Sequence, residues 1–339
     1  MRTPEVSVVM PVFNSAAAAL RAIESVRRQT LRQWELIVVD DGSTDQTPET
    51  LRRLGAEDPR LRIITIPHAG IVAALNVGLA AARSPLVARM DADDESHPDR
   101  LAAQVSFLRE NPEVGLAGCL VEFGGDRQRQ AGYARHVDWI NSLVSSDDIA
   151  LNRFVESPFA HPSVMFRRAL ARQHGAYREG QFPEDYELWL RWIEAGVVTA
   201  KVPRVLLTWN DSPKRLSRVD ARYDTEAFYR CKAGFLARWL LRHVQPHRRI
   251  LVWGAGRPTR RRAELLAGHG VNIDGYIDID PRKVGREFAG RPVLGPDQIP
   301  APAGCFVLGY VAKPQARELT RTHLTSLRFV EGRDFLMAA

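Results

Sequence analysis

Short runs of apolar, β-branched residues alternate with segments of helical spacing along the first third of the chain. Val6-Ser7-Val8-Val9-Met10, closed by Pro11, predicts a strand, and Leu20, Ile23 and Val26 set a helix between Ala16 and Thr30. Trp34 to Val39 predicts a second strand ending in Asp40-Asp41-Gly42-Ser43, with Thr44-Asp45 capping a helix from Pro48 to Leu54. Leu61 to Ile66 predicts a third strand, Gly70 to Ala82 a helix of small residues, and Leu86 to Met90 a fourth strand. Strands alternating with helices imply an α/β fold with a doubly wound, mainly parallel sheet. Such sheets bind ligands beyond the carboxyl ends of their strands. Asn14, Asp40 and Asp91 to Asp94 all fall at those ends.

The pattern changes twice more. Residues 111 to about 225 are less regular. They hold a strand from Val114 to Phe123, part of a helix at Trp139 to Leu143, a strand–helix passage from Ser163 to Arg172, and an amphipathic helix from Glu184 to Glu194. Asp220 to about Val244 looks helical, with a basic face. A second strand–turn–helix pattern opens at Arg249-Ile250-Leu251-Val252-Trp253-Gly254-Ala255-Gly256. The expected organisation is a first domain over 1–225, a basic connector helix over 226–246 and a smaller Rossmann-like α/β domain over 247–339.

Composition narrows the function classes. With 339 residues the chain has room for two domains, and no run approaches the ~18–20 apolar residues of a membrane span. The N-terminus enters a strand directly, and Cys119, Cys231 and Cys305 are scattered without metal-ligand spacing. Both features lead us to expect a reduced, cytoplasmic setting. The formal net charge is +7, and the excess is local: Ala227 to Ala263 holds ten Arg or Lys and no Asp or Glu. A basic face of this kind suits phosphorylated substrates or an anionic leaflet. Nucleic acid is not an expected partner.

Three acidic motifs carry candidate chemistry. Ala88-Arg89-Met90-Asp91-Ala92-Asp93-Asp94 runs from a strand into several carboxylates, followed by Glu95-Ser96-His97-Pro98, which reads as a helix start. Hard divalent cations take oxygen ligands, and Mg²⁺ commonly uses one or two carboxylates together with substrate phosphates. Acidic turns of this kind are also common as solvated loops. Asp40 can accept from a nucleobase N–H or a ribose hydroxyl, although Asp-Asp-Gly-Ser equally suits a turn that caps the next helix. Glu184-Asp185 opens a helix after Pro183, where carboxylates are stabilised by the helix dipole and where one could serve as a general base.

Taken in order, SVVMPVFN, VVDDGSTDQT, ARMDADDESHPDRL and FPEDYELWLR resemble the inverting nucleotide-sugar glycosyltransferases of family 2, which have the GT-A fold; the resemblance covers roughly residues 5 to 220. It implies that Pro11, Phe13 and Asp40 line a base and ribose pocket. Asn14, Gly70, Asn76, Asp91 and Arg215 would complete the donor side. Asp93, with Asp91, would hold a divalent ion (Mn²⁺ or Mg²⁺), and Asp185, with Glu184, would act as catalytic base. The implied partners are a nucleotide-sugar donor, with UDP-sugars expected, and a glycan or lipid-linked acceptor in bacterial envelope polysaccharide synthesis.

The chain departs from that pattern in places. His68-Ala69-Gly70 stands where many relatives have Asn-x-Gly, and Ala74-Leu75-Asn76 where many have Ala-Arg-Asn. The Gln-x-x-Arg-Trp segment of processive members is absent, which favours transfer of a single sugar. In its place lies Trp209-Asn210-Asp211-Ser212-Pro213-Lys214-Arg215, whose cations could close over a diphosphate. His161 is a second acceptor-side candidate, or a structural histidine. A sugar-nucleotide pyrophosphorylase would instead carry a Gly-rich loop after the first strand, where this chain has Met10-Pro11-Val12-Phe13-Asn14. A non-catalytic nucleotide-sugar-binding protein would dispense with Asp91, Asp93 or Asp185.

The C-terminal block resembles the small Rossmann-like domain at the N-terminus of bacterial sugar O-acyltransferases. Its dinucleotide fingerprint is incomplete, with Thr259 at the last glycine position. The helix from Phe228 to His243 fits a domain connector, and it also fits an interfacial helix giving peripheral contact with the inner face of a membrane. Homo-oligomerisation stays open.

Overall fold

The computed structural model describes residues 3–211 and 215–339. Two units are present, each discontinuous in sequence. The first comprises Met1–Ile149, Pro158–Gly180 and Glu187–Asp220; the second comprises Ala150–Ser157, Gln181–Tyr186 and Ala221–Ala339.

The first unit is built on an eight-stranded sheet. Strands β1 (Val6–Val12), β2 (Trp34–Asp40), β3 (Leu61–Thr65) and β4 (Leu86–Arg89) run parallel in the spatial order β3-β2-β1-β4. β5 (Glu95–Ser96), β6 (Val114–Gly124), β7 (Met165–Arg167) and β8 (Val198–Asn210) continue the sheet as β4-β7-β6-β8-β5. Here β7 is antiparallel to both neighbours, while β8 runs parallel to β6. Helices α1 (Ala16–Arg27), α2 (Thr47–Glu57), α3 (Ile71–Ala81), α4 (Arg100–Glu110), α5 (Ala131–Ser142), α6 (Ser146–Asn152), α7 (Ala169–His174), α8 (Glu184–Glu194) and α9 (Leu216–Val219) complete the order up to residue 220.

The period-two pattern of β1 and β2 divides the core between the two faces of the sheet. Val6, Val8, Met10, Val12, Trp34, Leu36 and Val38 pack with α1, α2 and α4, whereas Val9, Ile37 and Val39 pack with α3, Trp189 and Trp192. Both faces are covered, as a sheet with parallel strands requires. α3 lies close on β1 because Gly78 has no side chain: a Cβ there would sit 2.4 Å from Val9 Cγ1. Register aligns Val12 with Asp40 and Val9 with Arg89, so the ends of β1, β2 and β4 share one edge.

One local reading of the sequence needs correction, and one strand was not anticipated. Glu95 to Pro98 is not a helix start: Glu95–Ser96 is an edge strand paired with Thr208 and Leu207 of β8, and α4 begins at Arg100. Ser25 holds that strand by accepting the Ser96 amide at 3.0 Å. The 13-residue β8 had no clear signal in the sequence. Asp220 to Val244 is helical as expected, as a 3-10 turn, Ala221–Tyr223, followed by α10 (Thr225–His243). The break falls at Asp224, whose carboxylate caps α10 by accepting the Ala227 amide.

The second unit carries the smaller sheet. Its strands are β9 (Arg249–Trp253), β10 (Gly275–Ile277), β11 (Glu287–Phe288), β12 (Arg291–Leu294), β13 (Cys305–Gly309) and β14 (Phe335–Met337), in the order β11-β12-β10-β9-β13-β14. All neighbours run parallel except β11 with β12. α11 (Arg257–Ala267) follows β9, and α12 (Pro314–Ser326) follows β13. α10 buries Tyr229, Ala233, Leu236, Ala237 and Leu240. Its Lys232 is also buried, and Nζ donates to the carbonyls of Phe154 (2.8 Å), Val155 (3.2 Å) and Ala338 (2.7 Å). Among the described residues no helix is long and apolar enough to cross a membrane.

Candidate active site

The turn after β4 gathers three carboxylates. One oxygen from each of Asp91, Asp93 and Asp94 lies within 4.8 Å of the others, among the described residues a grouping that could hold a metal ion. The turn stands on two buried arginines. Arg89 donates from Nη2 to Asp91 Oδ1 at 2.5 Å and from Nη1 to the Met90 carbonyl. Arg100 donates to the Arg89 carbonyl at 2.7 Å and to Ser96 Oγ at 3.0 Å. Asn210, at the end of β8, closes the other side: its amide donates to Asp94 Oδ1 and its side chain to the Asp93 carbonyl, both at 2.8 Å. Asp94 therefore belongs to the turn and does not cap α4.

The electrostatics of the cluster follow from burial and like charge. Burial, then the charge of Asp91, raises the Asp93 carboxyl above the ordinary range. Burial, then Asp91 and Asp93, pushes the Asp94 carboxyl well up. Asp94 Oδ2 is buried and accepts no hydrogen bond within the protein. A hard oxygen-lined position with an unfilled acceptor suits Mg²⁺ or Mn²⁺, so the residues present fit a divalent ion.

Arg215 faces the same cluster. Its guanidinium lies 4.5 Å from the centroid of the Trp209 ring and 5.1 Å from that of Tyr133, and Nη1 donates to Tyr133 Oη at 2.5 Å. This aromatic cage holds the cation where it offsets the three aspartates. Lys214, the other cation expected in this segment, lies outside the described residues.

The donor-side candidates meet beyond β1 and β2. Asp40 is buried; Oδ1 accepts the Ser43 amide at 3.1 Å, and Oδ2 has no partner within the protein. Phe13 is 44% exposed and stacks on His68, with centroids 4.2 Å apart. Pro11, at the end of β1, is half-buried. Asn14 takes a φ of 46° and ties the two loops: its Oδ1 accepts the Thr44 amide at 2.8 Å, and its own amide donates to Ser43 Oγ at 2.9 Å. Asp41 organises the third loop by accepting the amides of Ala69 (2.8 Å) and Gly70 (2.9 Å), with His68 Nδ1 2.9 Å from its Oδ2. Gly70 adopts φ 90°, so the loop needs a glycine there. Asn76 behaves differently: it exchanges hydrogen bonds with the backbone of Tyr177 at 3.0 and 3.2 Å, a structural tie. Tyr177 in turn lies 2.7 Å from His161 Nε2, and burial lowers the proton affinity of that imidazole well below its ordinary value.

Glu184 and Asp185 belong to the second unit and differ in setting. Glu184 is 2% exposed, and its Oε2 accepts from Tyr223 Oη at 2.5 Å. Asp185 is half-buried, and its Oδ1 accepts the Tyr186 amide at 2.7 Å.

The profile of glycosyl transferase family 2 matches residues 7–175. The amylovoran biosynthesis glycosyltransferase AmsE of Erwinia amylovora is 32% identical over 192 residues, covering 55% of this chain and 68% of AmsE. The chain belongs to glycosyltransferase family 2. This family member is also similar to the bifunctional glycosyltransferase pgtA of Dictyostelium discoideum (26% identity, 68% of this chain and 36% of pgtA). Hyaluronan synthase of Pasteurella multocida is 28% identical, over 58% of this chain and 19% of the synthase. Among solved structures, S. aureus TarS 1-349 in complex with UDP-GlcNAc has a TM-score of 0.56 at 17% identity, covering 78% of this chain and 71% of that one. The mannosyltransferase PcManGT of Pyrobaculum calidifontis, in complex with GDP-Man and Mn2+, has a TM-score of 0.50 at 22% identity, covering 79% and 70%. These likenesses establish the GT-A fold of the glycosyltransferase.

In the second unit of this glycosyltransferase the fingerprint turn is closed on itself. Ligands of an open sheet enter where strand order reverses, here between β9 and β13. Thr259 Oγ1 lies 3.4 Å from the Tyr310 carbonyl, and the Tyr310 ring packs 6.0 Å from Tyr229 of α10. Asp278, after β10, accepts the Ala255 amide and Lys283 Nζ, both at 2.9 Å. The acidic residue that a ribose would need is tied to the turn.

Several residues escaped the sequence reading: Arg100, Asn210, Tyr133, Asp41 and Tyr223. Arg89 could have been found, since a lone charge inside the apolar run Leu86 to Met90 signals a buried ion pair. Asn210 and Tyr133 come from distant strands and helices, and only the fold brings them to the turn.

Proposed function

We propose that this glycosyltransferase moves one sugar, with inversion, from a nucleoside-diphosphate sugar to a hydroxyl of a glycan or lipid-linked acceptor in polysaccharide synthesis. The observation that carries the reading is the convergence of Asp91, Asp93 and Asp94 with one buried, unfilled carboxylate oxygen. Asp93 and Asp91 would hold a divalent ion, which supplies positive charge to the departing diphosphate. Arg215 adds a second cation from its aromatic cage. Phe13 and His68 offer a stacking surface for the base, and the free oxygen of Asp40 an acceptor for its N–H. Asp185, the more open of the two helix-start carboxylates, takes the proton of the acceptor hydroxyl as that oxygen attacks the anomeric carbon and the diphosphate leaves. The nucleotide sugars named with the two structural neighbours support a donor of this class. A UDP-sugar is our expected donor.

Melting the protein with Mn²⁺ and a panel of UDP-glucose, UDP-N-acetylglucosamine and GDP-mannose tests the donor half. Native-state ligands raise the midpoint, and no shift with any of them plus metal would refute it. Asp185→Asn should retain donor binding and lose transfer; full activity in that variant would remove Asp185 as base.

A further inference from the structure

The first turn of α8 is fixed from two sides by residues late in the chain. Tyr223, in the 3-10 turn ahead of α10, donates to Glu184 Oε2 at 2.5 Å. Tyr223 remains a donor at any ordinary pH, because burial, then the charge of Glu184, drives its own phenol far upward. On the other side Tyr186 is fully buried, donates to the Arg153 carbonyl at 2.7 Å, and packs its ring 5.3 Å from Phe228 of α10. Asp185 lies between these two anchored neighbours. α10 is itself held by its Asp224 cap and by Lys232, which binds the carbonyls of Phe154 and Val155. Tyr223 ends the 3-10 turn directly ahead of that capped and anchored helix.

We infer that Tyr223 is a positioning residue for the Glu184-Asp185 pair: its hydroxyl fixes Glu184, and through that side chain and the first helical turn it sets the direction of the Asp185 carboxylate. The inference rests on the reading of Asp185 as the base. Tyr223 lies beyond the stretch that matches the family profile, which ends at residue 175. A base must reach its proton within hydrogen-bonding distance, so a small rotation of the turn lowers turnover without disturbing the donor.

The test measures nucleoside diphosphate release by the full chain with Mn²⁺ and whichever of UDP-glucose, UDP-N-acetylglucosamine or GDP-mannose raises its melting midpoint, with water as acceptor. Tyr223→Phe removes only the hydroxyl and should lower kcat by about tenfold or more, with donor KM within about twofold. A purely structural loss would move both constants or the amount of folded enzyme. Glu184→Gln should show the same split, and Tyr223→Phe should add no further loss on that background. Undiminished kcat in either single variant, or an equal additional loss in the double variant, overturns the assignment. Glu184→Gln keeps the decision open to measurement if Tyr223→Phe fails to fold. An inactive Asp185→Asn beside a fully active Tyr223→Phe sinks only the positioning role. A fully active Asp185→Asn sinks the base reading itself.

Discussion

Arg89 donates to Asp91 Oδ1 at 2.5 Å from a position that is 1% exposed. The acidic turn therefore rests on a buried guanidinium, which also satisfies the Met90 carbonyl. Arg89→Met removes that charge while preserving bulk. The pair is only partly buried, the Asp91 side chain being 25% exposed, and loss of a hydrogen bond to a charged group there is expected to cost about 1.5–3 kcal/mol. Urea unfolding checks it, and a loss under about 1 kcal/mol would show that the pair is not structural.

Asp93 stands in a cluster whose members repel one another when no cation is bound. Asp93→Asn lowers that repulsion, so in chelator-treated buffer the variant should be at least as stable as the parent. Mn²⁺ should reverse the order: at a hundredfold excess over Kd it stabilises the parent by roughly 2.7 kcal/mol and leaves the variant unchanged. Thermal melts with and without Mn²⁺ decide, and an equal metal response in both proteins contradicts the assignment of Asp93 as ligand.

Gly42 has φ 71°, and a Cβ there would lie 2.7 Å from the His68 amide nitrogen. Gly42→Ala must strain the turn or move the loop that stacks His68 on Phe13. A cost of about 1–3 kcal/mol is expected, together with weaker UDP or GDP binding by calorimetry. Parent-like melting and binding would mean that the two loops are not coupled.

Lys232 gives a pH dependence with a definite sign. Burial lowers its ammonium from the usual lysine range to about 7, and Lys201 behaves alike, at about 7. Between about pH 7 and 10.4 the unfolded chain binds a proton at each lysine that the folded chain has released, so raising the pH favours folding by up to ~1.4 kcal/mol per pH unit per lysine. The destabilisation is complete below the folded value and vanishes above the unfolded one. Cys119, raised by burial to about 11, acts in the opposite direction at the alkaline end. The difference between parent and Lys232→Met isolates the amine: the variant should show a flatter rise from pH 7 to 9.5 in urea unfolding. Identical slopes would place the folded value of Lys232 near that of a free lysine.

The first four strands and their helices were legible because each motif combined a local signal with a positional one. β1 and β2 alternate cleanly between the two faces, and the carboxylates follow strand ends. The acidic cluster was likewise visible as a string of residues. Its partners were not, since Asn210 and Tyr133 are far away in sequence and carry no periodic signature. Asn76, which the resemblance placed on the donor side, shows a contact no sequence pattern announces: its side-chain amide exchanges hydrogen bonds with the backbone of Tyr177. Glu184 and Asp185 are adjacent and chemically alike, and burial and the Tyr223 bond, neither visible in the sequence, set Glu184 apart. β5 was misread because a two-residue edge strand offers too little pattern to compete with an Asp- and Pro-containing segment.

The interleaved second unit has a consequence for synthesis on the ribosome. Gln181–Tyr186, which carries the candidate base, shares that unit with residues up to β14. Domains generally fold as units, with chain growth at ~5–20 residues per second. The segment therefore has to wait on the order of ten seconds for its own framework to emerge. When that segment is made, the nascent chain already holds Asp91, Asp93 and Asp94 but none of β9 to β14, so the candidate base is the last of these acidic groups to gain its surroundings.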